Sequence, residues 1–291
     1  MTDPDRSMQS VLEVLQKAES YLERAGLETP KVDAQWLMAG TLGCGRLDLF
    51  LQHDRPLDES DLTRLRSFFK RRAAREPLQY ILGYSDFHDI RLQVEPGVLI
   101  PRPETELLVD HVLRYMARTD RPRIVDLGTG SGAIALCLAS ALPEARVLAI
   151  DASSRALAIA KGNAESLGLR DRVSFRLGNW LEALDLEADC IVANPPYLTD
   201  VEWESAAPEV RIHEPREALV AAKDGTADLL HIIESAYARL APGGLLALEM
   251  GINHGPVLAR AATVRCYVNV DVKRDDTGRD RYLVAEKEQA L

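Results

Sequence analysis

No apolar run in this 291-residue sequence approaches the roughly 18 uninterrupted residues of a membrane-spanning helix. The opening MTDPDRSMQS carries two acids and no apolar h-region, so neither secretion nor membrane insertion is expected, and the cytoplasm is the expected compartment. The four cysteines, Cys44, Cys137, Cys190 and Cys266, form no Cys-x-x-Cys pair and stand in stretches of apolar helix or strand, where they read as reduced core residues. The six histidines show no HExxH spacing, so no metal is expected. Positive charge is also short: the formal net charge is -10, with 13 Lys and Arg against 16 Asp and Glu in residues 1–95 and 22 against 29 in the remainder. That balance argues against stable nucleic-acid binding through a broad basic footprint. One local concentration of cations stands out, Arg64, Arg66, Lys70, Arg71, Arg72 and Arg75, with no acid inside the run and Glu76 directly after it. It reads as a solvated helix face.

What is present is 46% hydrophobic residues, enough for one large domain or two. From Ser7 to Arg24 apolar residues recur at three and four, which predicts a helix ending near Gly26. Thr29 and Pro30 predict a second helix start, shorter helical pieces follow to Arg75, and Pro77 ends the pattern. From Gln79 to Leu99 apolar residues interleave with Gly83, Asp86 and Asp89, which predicts a connecting β-hairpin. The expected division is a small helical domain over 1–78, a hairpin linker over 79–100 and a larger α/β domain over 101–291. In the last, strand and helix signals alternate as in a parallel sheet covered on both faces. Strands are expected near 123–127, 146–150, 173–177, 189–193 and 245–249. Two further strands, 265–272 and 281–285, form an antiparallel hairpin at one edge and bring the sheet to seven.

The chemistry concentrates at the ends of those strands. Ile124 to Leu127 run into Gly128, Thr129, Gly130, Ser131 and Gly132, an apolar strand entering a glycine-rich turn that opens a helix. The plain reading is an ordinary tight turn. Nineteen residues past Gly132, however, Asp151 ends the next strand, where an acid hydrogen-bonds the ribose hydroxyls of an adenosine. A nicotinamide dinucleotide and S-adenosylmethionine both carry that adenosine, and the fourth strand decides between them. It leads into Asn194, Pro195, Pro196 and Tyr197. A planar amide or aromatic amine is a poor nucleophile because its lone pair is delocalised. The Asn194 side-chain oxygen and the Pro195 carbonyl can each accept one hydrogen of such an NH2, held in place by the fixed φ of the two prolines. Tyr197 offers a flat wall for the planar group, and Trp180, beside Asn179, a cover for adenine. A surface polyproline turn and a core tryptophan are the ordinary alternatives. The position after a strand favours a methyltransferase.

In these segments the sequence resembles the release factor glutamine N5-methyltransferase family, known as PrmC or HemK. Val98 to Glu106 (VLIPRPETE), Asp126 to Gly132 (DLGTGSG), Asn194 to Tyr197 (NPPY), Arg75 to Gly83 (REPLQYILG) and Gly278 to Arg281 (GRDR) carry the resemblance over nearly the whole chain. It implies an N-terminal helical domain that helps dock the substrate protein, a hairpin linker and a class I, Rossmann-like methyltransferase domain. It also implies S-adenosylmethionine as cofactor and, as substrate, the glutamine of the Gly-Gly-Gln motif in class I peptide chain release factors. By position, Gly128, Thr129, Gly130, Ser131, Gly132, Asp151, Trp180 and Asn194 carry over as cofactor contacts. Asn194, Pro195, Pro196 and Tyr197 carry over as substrate contacts, with Arg102 and Glu104 as further candidates. Adenine offers the same planar NH2, so a DNA or RNA adenine N6-methyltransferase is the alternative enzyme. A non-catalytic cofactor-binding module is the alternative outside catalysis, and it leaves the tetrapeptide unexplained.

Overall fold

The computed structural model describes residues 9–182 and 187–290, and the chain forms two compact units. One comprises residues up to Gly83 together with 207–213, the other residues 84–206 and 214–291.

The first unit is helical. Its leading helix, Val11–Arg24, starts on a capping box in which Ser10 Oγ accepts the Glu13 N–H at 3.3 Å and the Glu13 carboxylate accepts the Ser10 N–H at 3.0 Å. Val11, Val14, Ala18 and Leu22 recur on its buried face. They pack with Leu37 and Met38 of the helix Pro30–Leu42, and with Leu65 and Phe69 of the helix Glu59–Ala73. The predicted hairpin from Gln79 begins later than expected, because Leu78–Leu82 is a short helix with Tyr80 and Ile81 buried. Apolar neighbours at adjacent positions suit one turn of helix, and Gly83, at φ 82°, ends it.

The cationic run is a solvated face only in part: Arg64, Arg66 and Lys70 are exposed, whereas Arg71 and Arg75 are half-buried. Arg72 is buried and gives Nε to Asp33 Oδ2 and an Nη to Glu209 Oε1, each at 2.9 Å, while Arg75 reaches the other oxygen of Glu209 at 2.9 Å. Arg71 pairs with Glu76 and Arg66 with Glu59, and Arg64 lies over the Phe68 ring. Sequence showed one neutralising acid because Asp33 and Glu209 lie 39 and 137 residues from Arg72.

The second unit opens with the hairpin β1 (Tyr84–Phe87) and β2 (Ile90–Gln93), whose alternation buries Phe87, Ile90 and Leu92. Its main sheet contains β3 (Arg123–Leu127), β4 (Arg146–Asp151), β5 (Val173–Leu177), β6 (Ala188–Ala193), β7 (Leu240–Glu249), β8 (Tyr267–Arg274) and β9 (Asp280–Lys287). They lie in the order β5-β4-β3-β6-β7-β9-β8. The first five pair in parallel, and β9 and β8 add an antiparallel edge. This is the expected mostly parallel, seven-stranded α/β sheet. Side chains of the central strands alternate between two apolar layers: Ile124, Cys190 and Leu245 enter one, and Val125, Ile191 and Leu246 the other. Cys137 and Cys190 are buried as predicted and Cys44 is half-buried, but Cys266 is exposed. It sits at φ 69° in the turn before β8, so that strand starts at Tyr267 rather than Arg265. Among the described residues no helix is long and apolar enough to cross a membrane.

The buried ion cluster generates a stability prediction. Arg72→Leu leaves Asp33 and Glu209 without their shared cation, and urea unfolding should report a loss of about 3–5 kcal/mol. A loss below about 1 kcal/mol would match an exposed pair instead.

Candidate active site

Along the sheet the chain steps from β3 outward through β4 to β5, then crosses back to lay β6 on the other side of β3. At such a reversal the loops leaving adjacent strands diverge, and a crevice opens beyond their carboxyl ends. A cleft of about 520 Å³ is found there, walled by Gly128, Gly130, Asp151, Trp180, Asn194 and Pro196.

The glycine turn is built for close approach. Gly128 has φ 70°, and a Cβ there would stand 3.5 Å from the Trp180 ring, narrowing the cleft. Gly132, at φ 88°, starts the helix Ala133–Ala141, and a Cβ would stand 2.8 Å from Leu136 Cδ1. Between them Thr129 and Ser131 are buried. Thr129 gives its hydroxyl hydrogen to Asp126 Oδ2 at 2.6 Å, and the Ser131 carbonyl accepts Asn163 Nδ2 at 2.9 Å. Gly128 and Gly130 therefore face the cleft, while Thr129, Ser131 and Gly132 shape the turn.

Asp126 is fully buried on β3. Burial drives its carboxyl up to about 7, against the hydrogen bonds from Thr129 and the Ala135 N–H and with a small addition from Asp151. Its Oδ1 has no hydrogen-bond partner among the described residues. Asp151, at the end of β4, accepts the Gly130 N–H on Oδ2 and the Ser153 N–H on Oδ1, both at 2.8 Å. Burial raises its carboxyl above the usual range and these N–H groups oppose the rise. Each oxygen keeps a further lone pair, which fits the two hydroxyls of a ribose. Trp180, at φ 48°, and Asn179 also line the cleft, with Asn179 Nδ2 pointing to Glu182 Oε1 at 3.4 Å.

The tetrapeptide leaves β6 into the same cleft. Asn194 and Pro196 form its wall and Pro195 is buried. Tyr197 lies against the core, with its hydroxyl donated to Glu249 Oε1 at 3.0 Å and its N–H to the Leu219 carbonyl at 3.1 Å. Asn194 Nδ2 donates to Thr105 Oγ1 at 3.0 Å, and Thr105 Oγ1 donates to Glu249 Oε2 at 2.7 Å. Neither Thr105 nor Glu249 was legible as a site residue. Thr105 lies inside the VLIPRPETE segment, but a threonine in a first helical turn reads as start chemistry. The available signal for Glu249 was a carboxylate ending an otherwise apolar strand. Of the two further candidates, Arg102 pairs with the buried Glu214 at 2.6 Å, and the Glu104 carbonyl accepts the Tyr282 hydroxyl at 2.6 Å.

The sheet order, the glycine turn and the acid ending β4 define an α/β, Rossmann-like nucleoside-binding fold, and the tetrapeptide after β6 and the family match make it a methyltransferase. Residues 103–226 match the methyltransferase small domain, and residues 13–83 match the PrmC N-terminal domain. The release factor glutamine methyltransferase of Geobacter sulfurreducens is 37% identical over 94% of this chain and 95% of its own length. Those of Gloeobacter violaceus and Moorella thermoacetica are each 40% identical, over 92% and 95% of this chain and 96% and 98% of their own lengths. The chain belongs to the release factor glutamine methyltransferase family. The same fold occurs in a methyltransferase from Pyrococcus furiosus (TM-score 0.52, 19% identity, 68% of this chain and 88% of that one). It occurs also in the ribosomal RNA methyltransferase RsmC of T. thermophilus, solved with AdoMet and guanosine (TM-score 0.52, 21% identity, 70% and 50%).

Asp126 generates a pH prediction. Its folded carboxyl, at about 7, lies above an unfolded value of roughly 3.9, so the folded state binds the proton more tightly. Its contribution favours folding at low pH and fades as pH rises through that interval. Asp126→Asn keeps an acceptor for Thr129 and Ala135 but cannot ionise, so its urea midpoint should fall less than the wild type's between about pH 5 and 8. Parallel curves would place the titration elsewhere.

Proposed function

We propose that this protein transfers the methyl group of S-adenosylmethionine to the side-chain amide nitrogen of the glutamine in the Gly-Gly-Gln motif of class I peptide chain release factors, in the cytoplasm. The observation that carries this reading is that Asn194 and Pro196 wall the same cleft as Gly128, Gly130 and Asp151. That shared wall supports a nucleoside site and an acceptor site for an NH2 side by side.

S-adenosylmethionine, when bound, supplies an electrophilic methyl carbon on a sulfonium. Gly128 and Gly130 admit the cofactor against the backbone, Asp151 takes its ribose hydroxyls, and Trp180 covers the adenine. The Asn194 side-chain oxygen and the Pro195 carbonyl each accept one hydrogen of the glutamine NH2, which aims the nitrogen lone pair at the methyl group. As the carbon–nitrogen bond forms, positive charge develops on the nitrogen and the two acceptors bind its hydrogens more strongly than before. The barrier falls because the transition state is favoured over the ground state. The methyl–sulfur bond breaks as the carbon–nitrogen bond forms, leaving the cofactor as a neutral thioether, and the nitrogen then loses one hydrogen as a proton to solvent, so that the primary amide becomes a secondary one. Two prolines keep the acceptors from relaxing, so little reorganisation is required when substrate arrives.

Methyl-labelled cofactor should place label on the Gly-Gly-Gln peptide of a purified release factor; label found only on adenine of an oligonucleotide overturns the reading. Asn194→Ala should abolish transfer while leaving cofactor binding nearly intact, and equal loss of both would reassign Asn194. Calorimetric titration of Asp151→Ala should show cofactor affinity weakened by about 1–3 kcal/mol, as for a lost hydrogen bond to a charged group. An unchanged dissociation constant contradicts its role.

A further inference from the structure

Glu249 ends β7 and is 1% exposed, behind four fully buried residues, Leu245 to Leu248. A carboxylate in such a place is tolerated only when its oxygens are hydrogen-bonded, and both are. Oε2 accepts the Thr105 hydroxyl at 2.7 Å and Oε1 accepts the Tyr197 hydroxyl at 3.0 Å. Thr105, in the first turn of the helix Pro103–Met116, in turn accepts Asn194 Nδ2 at 3.0 Å. One buried carboxylate is thus connected to both ends of the tetrapeptide.

The direction of this chain follows from counting hydrogens. A threonine hydroxyl has one hydrogen, and an ionised carboxylate can only accept. Thr105 therefore gives its hydrogen to Glu249 and offers only a lone pair to Asn194. Asn194 must turn its NH2 toward Thr105, which turns its Oδ1 away. If position 249 could donate instead, the Thr105 hydrogen would be released toward Asn194, and the asparagine amide could sit with its ends exchanged. Its NH2 would then confront a substrate NH2, donor against donor.

We propose that Glu249 is a positioning residue for methyl transfer: through Thr105 it fixes the Asn194 amide with the carbonyl oxygen free for substrate, while its second oxygen holds Tyr197. The proposal rests on the reading that Asn194 receives the glutamine amide. The groups around the carboxylate come from three elements. Arg281 on β9 favours its ionised form, as do the hydroxyls of Thr105 and Tyr197, whereas Glu104 on the helix Pro103–Met116 opposes it. Tyr282, also on β9, senses the Glu249 charge, and Arg281 lies 3.6 Å from Asp275. Burial is the largest influence and raises the carboxyl above the usual range. Because the ionised form sets the direction of the chain, the transfer rate should fall on acidification at a higher pH than an exposed carboxylate would give.

The test measures kcat against pH for the full-length wild type, Glu249→Gln, Thr105→Val, Thr105→Ser, Asn194→Ala and the Glu249→Gln/Thr105→Val double variant. Methyl-labelled S-adenosylmethionine and a purified release factor are the substrates. Cofactor dissociation constants and thermal midpoints are recorded alongside. Glu249→Gln and Thr105→Val should each lower kcat on the order of 100-fold, the scale of a misplaced reacting group, with the cofactor constant changed less than about threefold. Thr105→Ser, which keeps the hydroxyl, should restore most of the rate. The acid limb should vanish in Glu249→Gln, and the double variant should be no slower than the worse single one, since both act through one chain. Wild-type kcat in Glu249→Gln with an inactive Asn194→Ala would remove the positioning role alone. Losses that track the thermal midpoint with the acid limb intact would make Glu249 merely structural, and full activity of Asn194→Ala would remove the amide-site reading beneath it.

Discussion

The placement of β3 between β4 and β6 is the constraint on which the site depends. Strands on either side of β3 are reached by crossovers running in opposite senses, so their carboxyl-terminal loops part there and nowhere else among the parallel strands. The glycine turn after β3, Asp151 at the end of β4 and Asn194 after β6 become neighbours because of it, although 66 positions separate Gly128 from Asn194 in the chain. The apolar alternation of the strands fills the layers on both faces of the sheet and so leaves the strand ends as the available place for polar chemistry.

At those ends three carboxyl groups are held above the usual carboxylate range by burial, Asp126, Asp151 and Glu249. Each is tolerated because N–H or hydroxyl groups donate to it: Thr129 and Ala135 to Asp126, Gly130 and Ser153 to Asp151, Thr105 and Tyr197 to Glu249. The arrangement exchanges some stability for preorganisation, since acceptors fixed before substrate arrives need not be ordered during the reaction. In the helical unit a buried charge has a different use. Arg72 joins Asp33 to Glu209, drawing residues 207–213 into a unit whose other residues precede position 84.

Much of this was readable in advance, for reasons tied to particular residues. Val125 to Leu127 followed by three glycines within five positions restrict the chain locally, so the strand and its turn were legible without any partner. The central strands were legible because β3, β4 and β6 are short, largely apolar runs, whereas β7 starts at Leu240, before the expected 245, since Pro242, Gly243 and Gly244 hide its first half. Gln79 to Leu82 misled because Tyr80 and Ile81, taken with the later alternation, suit strand spacing, whereas contacts with the helical core select a turn of helix. Cys266 misled likewise, since an apolar neighbourhood in sequence does not reveal that the turn before β8 carries the side chain outward. The cations near Arg72 looked solvated because both acids that neutralise Arg72 lie far away in the chain.

By itself the sequence determined most of the strands and helices, though not the short helix Leu78–Leu82, and where the glycine turn and the tetrapeptide fall and which acid ends β4, since backbone restriction and local periodicity are short-range properties. Only the tertiary structure decided that Asn194 and Pro196 wall the cleft while Tyr197 lies against the core, that Thr105 and Glu249 stand behind Asn194, and that Arg72 is buried. Each of these depends on which distant residue donates or accepts across the fold, and a hydrogen bond between residues 89 or 144 positions apart leaves no mark on either one's neighbours in the chain.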